Sequence, residues 1–254
     1  MSNELSGKSA FITGASRGIG AAAAVTLARA GVRRMLLHYG GHREGAEATA
    51  GAVRAEGCRA EILQADLAAN EGIQSLIRQY RETGEGVDIL VNNAGSLIAR
   101  ARLHEFTDDL YEQVMNLNVK SVWFLTQAVA SGMADRGSGV IINVSSIAAR
   151  NGGGPGATIY AGAKAMVSAI TKGLAKELAP KGIRVNAVSP GTVENHFHET
   201  FSTREMLDAA VRQTPAGTLG TNEEVADTIL FLCSHAARYI HGQTIEINGG
   251  MFMV

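Results

Sequence analysis

Short apolar runs rich in β-branched residues alternate with longer stretches rich in Ala, Leu, Glu and Lys along almost the whole 254-residue chain, and this alternation constrains the fold more than any other feature. It reads as repeated strand–helix units. The candidate strands are Ser9 to Thr13, Met35 to Leu37, Ala60 to Gln64, Asp88 to Asn92, Val140 to Val144, Arg184 to Val188 and Thr244 to Ile247. The segments that begin near Gly18, His42, Asn70, Asp108, Thr158 and Asn222 are mostly long enough for crossover helices. Runs such as Val140-Ile141-Ile142 are continuously apolar, as burial on both faces of a sheet requires. The expected architecture is α/β: a single doubly wound, Rossmann-type domain spanning residues 1–254, with a mostly parallel seven-stranded sheet and helices on both faces.

Composition narrows the function. Hydrophobic residues make up 46% and charged residues 19%, which excludes a disordered chain or a coiled coil. A net charge of -1 and the absence of any Lys/Arg run argue against nucleic acid as a partner. The longest stretch without a charge, Ser121 to Ala134, is shorter than the roughly 20 residues a membrane span needs, so no membrane association is expected. Met1 to Lys8 is polar and lacks a signal-peptide pattern, and Cys58 and Cys233 stand alone in separate segments. A cytoplasmic protein with two reduced, core-filling thiols is expected.

The first strand ends in Thr13-Gly14-Ala15-Ser16-Arg17-Gly18-Ile19-Gly20, followed by the helix-forming Ala21 to Val25. Glycines at 14, 18 and 20 allow a tight turn, close backbone approach and close helix–strand packing. A phosphate can then meet free N–H groups at a helix N-terminus, where the macrodipole also favours an anion. Where the alternation lapses, from Thr192 to Pro215, a segment rich in His, Phe, Thr and Glu follows the sixth strand. Ligands of open α/β sheets sit beyond the carboxyl ends of the strands, so this segment reads as a substrate-side lid.

The Gly-x-x-x-Gly-x-Gly spacing is followed in order by Asn92-Asn93-Ala94-Gly95, by Asn118 within Asn116-Leu117-Asn118-Val119-Lys120, by Ser146, by Tyr160-x-x-x-Lys164 and by Pro190-Gly191. From about Lys8 to Gly250 the chain resembles the short-chain dehydrogenases/reductases. The resemblance implies hydride exchange between a nicotinamide and a carbonyl/alcohol pair, with Asn118, Ser146, Tyr160 and Lys164 catalytic and no metal. It also implies cofactor contacts from Gly14, Ser16, Arg17, Gly18, Ile19, Gly20, Tyr39, Asp66, Leu67, Asn93, Ala94, Gly95, Tyr160, Lys164, Pro190, Gly191, Thr192 and Val193. Asp66 would touch the adenine, although an Asp there also suits a helix cap.

The residues themselves support parts of this reading. Tyr160 and Lys164 lie four apart in a helical segment and so share one face, and a nearby ammonium together with the positive charge of an oxidised nicotinamide would lower the phenol pKa. Of the two serines after the fifth strand, the resemblance to the family pattern Ile-Asn-x-Ser-Ser implies that the second, Ser146, stabilises charge on a substrate oxygen, whereas Ser145 reads as a hydroxyl satisfied by local backbone. Asn116 competes with Asn118, and the pattern Asn-x-Asn-Val-Lys favours the second. At the end of the second strand, His38-Tyr39-Gly40-Gly41-His42-Arg43 carries no acid to bind a ribose 2′-hydroxyl, and Arg17 suits a phosphate. NADP(H) is therefore favoured, with NAD(H) the other option.

Among subfamilies the layout is most like 3-oxoacyl-[acyl-carrier-protein] reductases. Sugar, polyol, quinone or polyketide dehydrogenases are alternatives, and a non-catalytic NADP-binding sensor is a remote one. The expected partner is a small carbonyl/alcohol substrate, carrier-bound in the first reading, with Arg100, Arg102 and Arg150 as candidates for a carrier-facing patch. By analogy with related proteins a homotetramer is expected. His196 and His198, flanked by acids, read as lining the substrate entrance or facing water sooner than as metal ligands, and Phe197, Phe201 and Met206 offer apolar contact to a ligand.

Overall fold

The computed structural model describes residues 4–254. Its strands are β1 (Ser9–Ile12), β2 (Arg34–Tyr39), β3 (Arg59–Gln64), β4 (Ile89–Asn92), β5 (Gly139–Val144), β6 (Ile183–Pro190) and β7 (Thr244–Ile247). They form one seven-stranded sheet in the order β3-β2-β1-β4-β5-β6-β7, and every pairing is parallel. Chain direction across the sheet reverses between β1 and β4, and a ligand crevice is expected at the carboxyl ends of the strands there.

Ten α-helices join the strands: α1 (Gly18–Arg29), α2 (Arg43–Ala55), α3 (Asn70–Glu82), α4 (Asp108–Met115), α5 (Ser121–Asp135), α6 (Ala148–Asn151), α7 (Thr158–Leu178), α8 (His196–Phe201), α9 (Arg204–Gln213) and α10 (Asn222–Cys233). Neighbouring strand residues point to opposite faces, which divides the core in two. Ile12, Leu37 and Ile142 pack with Leu27 of α1, Val53 of α2 and Ile229 of α10. Phe11, Leu36 and Ile141 pack on the other side with Ile73 and Leu76 of α3, Leu125 of α5 and Leu174 of α7. Cys58 and Cys233 are buried free thiols.

Three local features depart from the sequence reading. β2 and β3 start at Arg34 and Arg59, ahead of the apolar residues; the nearly buried Arg34 side chain is admitted because its Nε pairs with Glu61 at 3.1 Å. The segment after β6 is not irregular but holds two helices. Asn195 caps α8 by accepting from Phe197 N–H, and Thr203 caps α9 by accepting from Met206 N–H. α8 is six residues, too short to show a period, and α9 is only ten, with one apolar face. Finally, Asn116–Lys120 forms a π-helical turn between α4 and α5.

Candidate active site

The glycine loop sits where β1 ends. Gly14 and Gly18 have φ of 65° and 59°, a region that other residues enter only at a cost. Gly20 lies so close to the Gly14 carbonyl and the Asn93 amide that a Cβ would collide with both. The Asn93 side chain donates to Thr13 O at 2.9 Å and Gly14 O at 3.0 Å, while Thr13 Oγ1 accepts from the Asn93 and Ala94 amides. Arg17, the residue before α1, makes no side-chain cap, and the first turn carries no acid. The helix therefore presents uncapped N–H groups to the crevice, which suits an anion.

His38 holds this loop from β2, a role that the sequence reading missed. Its Nδ1 accepts from Gly14 N–H at 3.2 Å, which leaves the proton on Nε2 to donate to Ala65 O at 3.0 Å. Burial holds the imidazole pKa down to about 4, so the ring stays neutral. The available signal was a polar residue inside an otherwise apolar strand.

A cleft of about 790 Å³ runs from this loop to the lid helices. Of the expected cofactor residues, Gly14, Ser16, Arg17, Gly18, Ile19, Asp66, Leu67, Asn93, Ala94, Gly95, Tyr160, Lys164, Pro190, Gly191, Thr192 and Val193 line it. Gly20 and Tyr39 do not; His38 and Gly40, on either side of Tyr39, do. Asp66 lines the cleft, and its Oδ1 accepts from Ala68 N–H at 3.0 Å in a local turn; it does not cap α3, whose N-cap is Ala69. Arg43 lies outside and pairs with Glu47 at 3.8 Å, so Arg17 is the cationic side chain at this end.

At the opposite end, Ser146 follows β5, and Tyr160 and Lys164 project from α7 into the same cleft. Lys164 Nζ donates to Val144 O at 2.9 Å and lies 5.7 Å from the centre of the Tyr160 ring. Burial lowers its pKa to about 8. Tyr160 moves opposite to the sequence expectation: burial raises it to about 12, against the smaller opposing effect of the Ser146 hydroxyl. Desolvation of a phenolate outweighs the hydrogen bond from Ser146 that favours it. Tyr160 is thus a neutral phenol, the form that can donate a proton.

Asn118 lies behind the cleft wall, inside the π-turn. Its Nδ2 donates to Ser96 O at 2.8 Å and Val114 O at 2.9 Å, and its Oδ1 accepts from Ser96 N–H at 3.2 Å. The extra residue in the turn leaves the Val114 carbonyl available to this side chain. Gly95 keeps a gap beside the lysine: a Cβ there would fall 2.7 Å from Lys164 Nζ and 2.8 Å from Asn118 Oδ1. Asn116 points elsewhere, donating to Ala68 O. Ser145 is satisfied by Lys164 O and Ser168.

Phe197, His198, Phe201 and Met206 of the lid also line the cleft, with Phe197 5.8 Å from the Tyr160 ring. Arg100 ties this lid down. Its Nε donates to Phe201 O at 2.7 Å and its Nη1 to Pro155 O at 2.8 Å. Of the other two arginines, Arg150 pairs with Glu246 at 2.8 Å and Arg102 is exposed. His196 turns to Glu199 and His198 to Ser202, and no metal-sized group of ligands gathers among the described residues.

A doubly wound sheet with an uncapped glycine loop and a Ser–Tyr–Lys group in one crevice defines a dinucleotide-dependent oxidoreductase of the Rossmann type. The comparisons narrow this further. Residues 14–252 match the sequence profile of a family described as enoyl-(acyl carrier protein) reductase. The chain is 38% identical, over 97% of its length and 99% of the relative's, to the 3-oxoacyl-[acyl-carrier-protein] reductase FabG of Staphylococcus epidermidis. It is 37% identical to that of Vibrio cholerae, over 98% and 99% of the two chains. Among solved structures, a putative NAD(P)-dependent gluconate 5-dehydrogenase of Beutenbergia cavernae superposes with a TM-score of 0.90 at 34% identity, covering 99% of both chains. An NADH-dependent reductase A1-R′, responsible for alginate metabolism, gives 0.85 at 34% identity, covering 99% of this chain and all of its own. The chain belongs to the short-chain dehydrogenase/reductase family and is an oxidoreductase of the CH–OH/C=O class.

Proposed function

We propose that the protein is a carbonyl reductase that uses NADPH in preference to NADH, with a 3-oxoacyl thioester as its substrate type. The observation that carries this reading is the placing of Tyr160, Ser146 and Lys164 together in a cleft that continues to the uncapped N-terminus of α1. When bound, the nicotinamide supplies or accepts a hydride at its C4. The uncapped amides of α1 and Ser16 suit the diphosphate, Asp66 and Leu67 the adenine, and Pro190 to Val193 the nicotinamide end. Exposed Arg17, in a cleft end whose only acid is Asp66, suits a ribose 2′-phosphate.

In the reduction, Ser146 hydrogen-bonds the carbonyl oxygen, and Tyr160 gives its proton to that oxygen as negative charge develops there. Lys164 orients the ribose and favours the phenolate that remains. Asn118 secures Ser96 and the turn next to the lysine, which keeps open a route for the proton to be replaced from water. Residues 192–215 act as a lid over the substrate, and the whole chain works as one domain. All four catalytic residues are retained, which weighs against a sensor. The relatives named as 3-oxoacyl-[acyl-carrier-protein] reductases, matched end to end, support the thioester reading. β7 ends the sheet with an unpaired edge, and a homotetramer that covers it is expected. A monomer mass by light scattering at micromolar concentration would refute that assembly.

The deciding experiment follows nicotinamide absorbance with NADPH or NADH and an acetoacetyl thioester, with Tyr160→Phe as the control. Turnover with NADPH well above NADH, lost in the variant while NADPH binding persists, supports the proposal. An active Tyr160→Phe refutes it.

A further inference from the structure

Charge within the cleft is uneven. Its lining holds three formal cations, Arg17, Arg100 and Lys164, against one carboxylate, Asp66. Asp66 stands at the loop end, and Arg17 and Lys164 both have duties toward the cofactor in the reading above. Arg100 has none. Among the described residues it makes no ion pair, and its two hydrogen-bond acceptors are neutral backbone carbonyls, Phe201 O and Pro155 O.

Those two bonds also fix its position. A guanidinium carries five N–H donors in a rigid plane; Nε and one Nη1 hydrogen are spent, which leaves three directed donors without a carboxylate. The stem packs on the glycine-rich turn, where a Cβ on Gly156 would lie 3.1 Å from Arg100 Cβ. The side chain thus bridges α8 to the turn before α7 and lines the same cleft as Ser146 and Tyr160. His198, on the lid, is held down to about 4 by burial and by the Arg100 charge, so it does not compete as a second cation. A fixed, unpaired guanidinium with a low-dielectric wall of Phe197, Phe201 and Met206 beside it is a receptor for an anionic oxygen group.

We propose that Arg100 binds an anionic group of the substrate, a carboxylate or a phosphate, while Ser146 and Tyr160 hold the reacting carbonyl. This rests on the carbonyl reductase reading and deepens it, since the substrate becomes an oxo acid, or an oxoacyl compound with a phosphate-bearing arm. The reacting step is unchanged: hydride adds to the carbonyl carbon, the Tyr160 proton goes to oxygen, and the anion is a handle that keeps its bonds.

The test uses matched pairs with the purified full chain and NADPH: acetoacetate against its methyl ester, and acetoacetyl coenzyme A against the same acyl group on N-acetylcysteamine, which has no phosphate. A charged member should exceed its neutral partner at least tenfold in kcat/KM, and Arg100→Gln should collapse that ratio. Any effect of the substitution on the lid acts on both members of a pair, so the ratio isolates the charge. Arg100→Lys, which keeps the charge and loses the fork, should retain part of it. A preference confined to the first pair identifies a carboxylate, and one confined to the second identifies a phosphate. Equal rates within both pairs, or ratios that survive Arg100→Gln, overturn the anion site and leave the reductase reading intact. If no pair is turned over, calorimetric titration of tartrate and of neutral threitol onto the cofactor-loaded protein decides. Tartrate binding that weakens tenfold in Arg100→Gln keeps the anion site although the substrate reading fails. Absent or unchanged binding overturns it.

Discussion

At the scale of single residues the site is defined as much by what is missing as by what is present. Gly95 leaves a space beside Lys164 Nζ and Asn118 Oδ1 that one methyl group would fill. Gly95→Ala should therefore push the ammonium off its bond to Val144 O and lower kcat by tenfold or more, because a displacement of about 1 Å in a catalytic group is costly. Its melting temperature should stay close to that of the wild type, and an unchanged kcat would remove this glycine from the proton path. Arg17 poses a question of charge. It lines the cleft end without a carboxylate partner, so Arg17→Ala should raise the KM for NADPH far more than that for NADH; equal effects would refute a contact with the 2′-phosphate.

At the scale of elements, the glycine loop behaves as a clamp of three strands. Asn93 from the end of β4 and His38 from β2 both bind backbone at Gly14, and Gly20 brings α1 down onto the same carbonyl. Gly20→Val should force that contact apart and weaken NADPH and NADH alike, measured by quenching of protein fluorescence; selective loss of one cofactor would contradict it. Most of this framework was legible in the sequence, since strand runs, glycine spacing and the four-residue step from Tyr160 to Lys164 are local signals. The rest depended on contacts distant in sequence. Nothing near His38 announces that its ring reaches Gly14, 24 residues earlier, and Ala65, 27 residues later. Nor does the sequence show Arg100 crossing 101 residues to Phe201. The lid helices escaped because they are short, six and ten residues, and are marked mainly by their caps at Asn195 and Thr203. The burial of Tyr160 escaped for a related reason: pair spacing reveals a neighbouring charge but not how far the phenol is desolvated.

For the whole molecule, these buried ionisable groups set how stability depends on pH. His38 and His198 each have an ordinary pKa of 6.5 and a folded value of about 4, burial being the main cause. Between those values the unfolded chain binds more protons than the folded one, so stability is full above 6.5 and is lost as pH falls toward 4. For His38 alone the shift corresponds to about 3 kcal/mol. Glu61, held below its ordinary range by Arg59 and Arg34 in spite of its own partial burial, adds a loss only at lower pH, below about 4.5. On the alkaline side the signs differ. Lys164, lowered to about 8, makes the fold more stable as pH rises from 8 toward 10.5, whereas Tyr160, raised to about 12, begins to cost stability above 10 as the unfolded phenol ionises. Urea denaturation of the wild type should therefore show the unfolding free energy falling steadily from pH 6.5 to 4.5. His38→Asn, which does not titrate, should start from a lower stability because the Gly14–Ala65 clamp is lost, yet show a shallower slope over the same window. A slope equal to that of the wild type would mean that His38 is not held neutral by the fold, and the clamp on the glycine loop would then need a different proton arrangement.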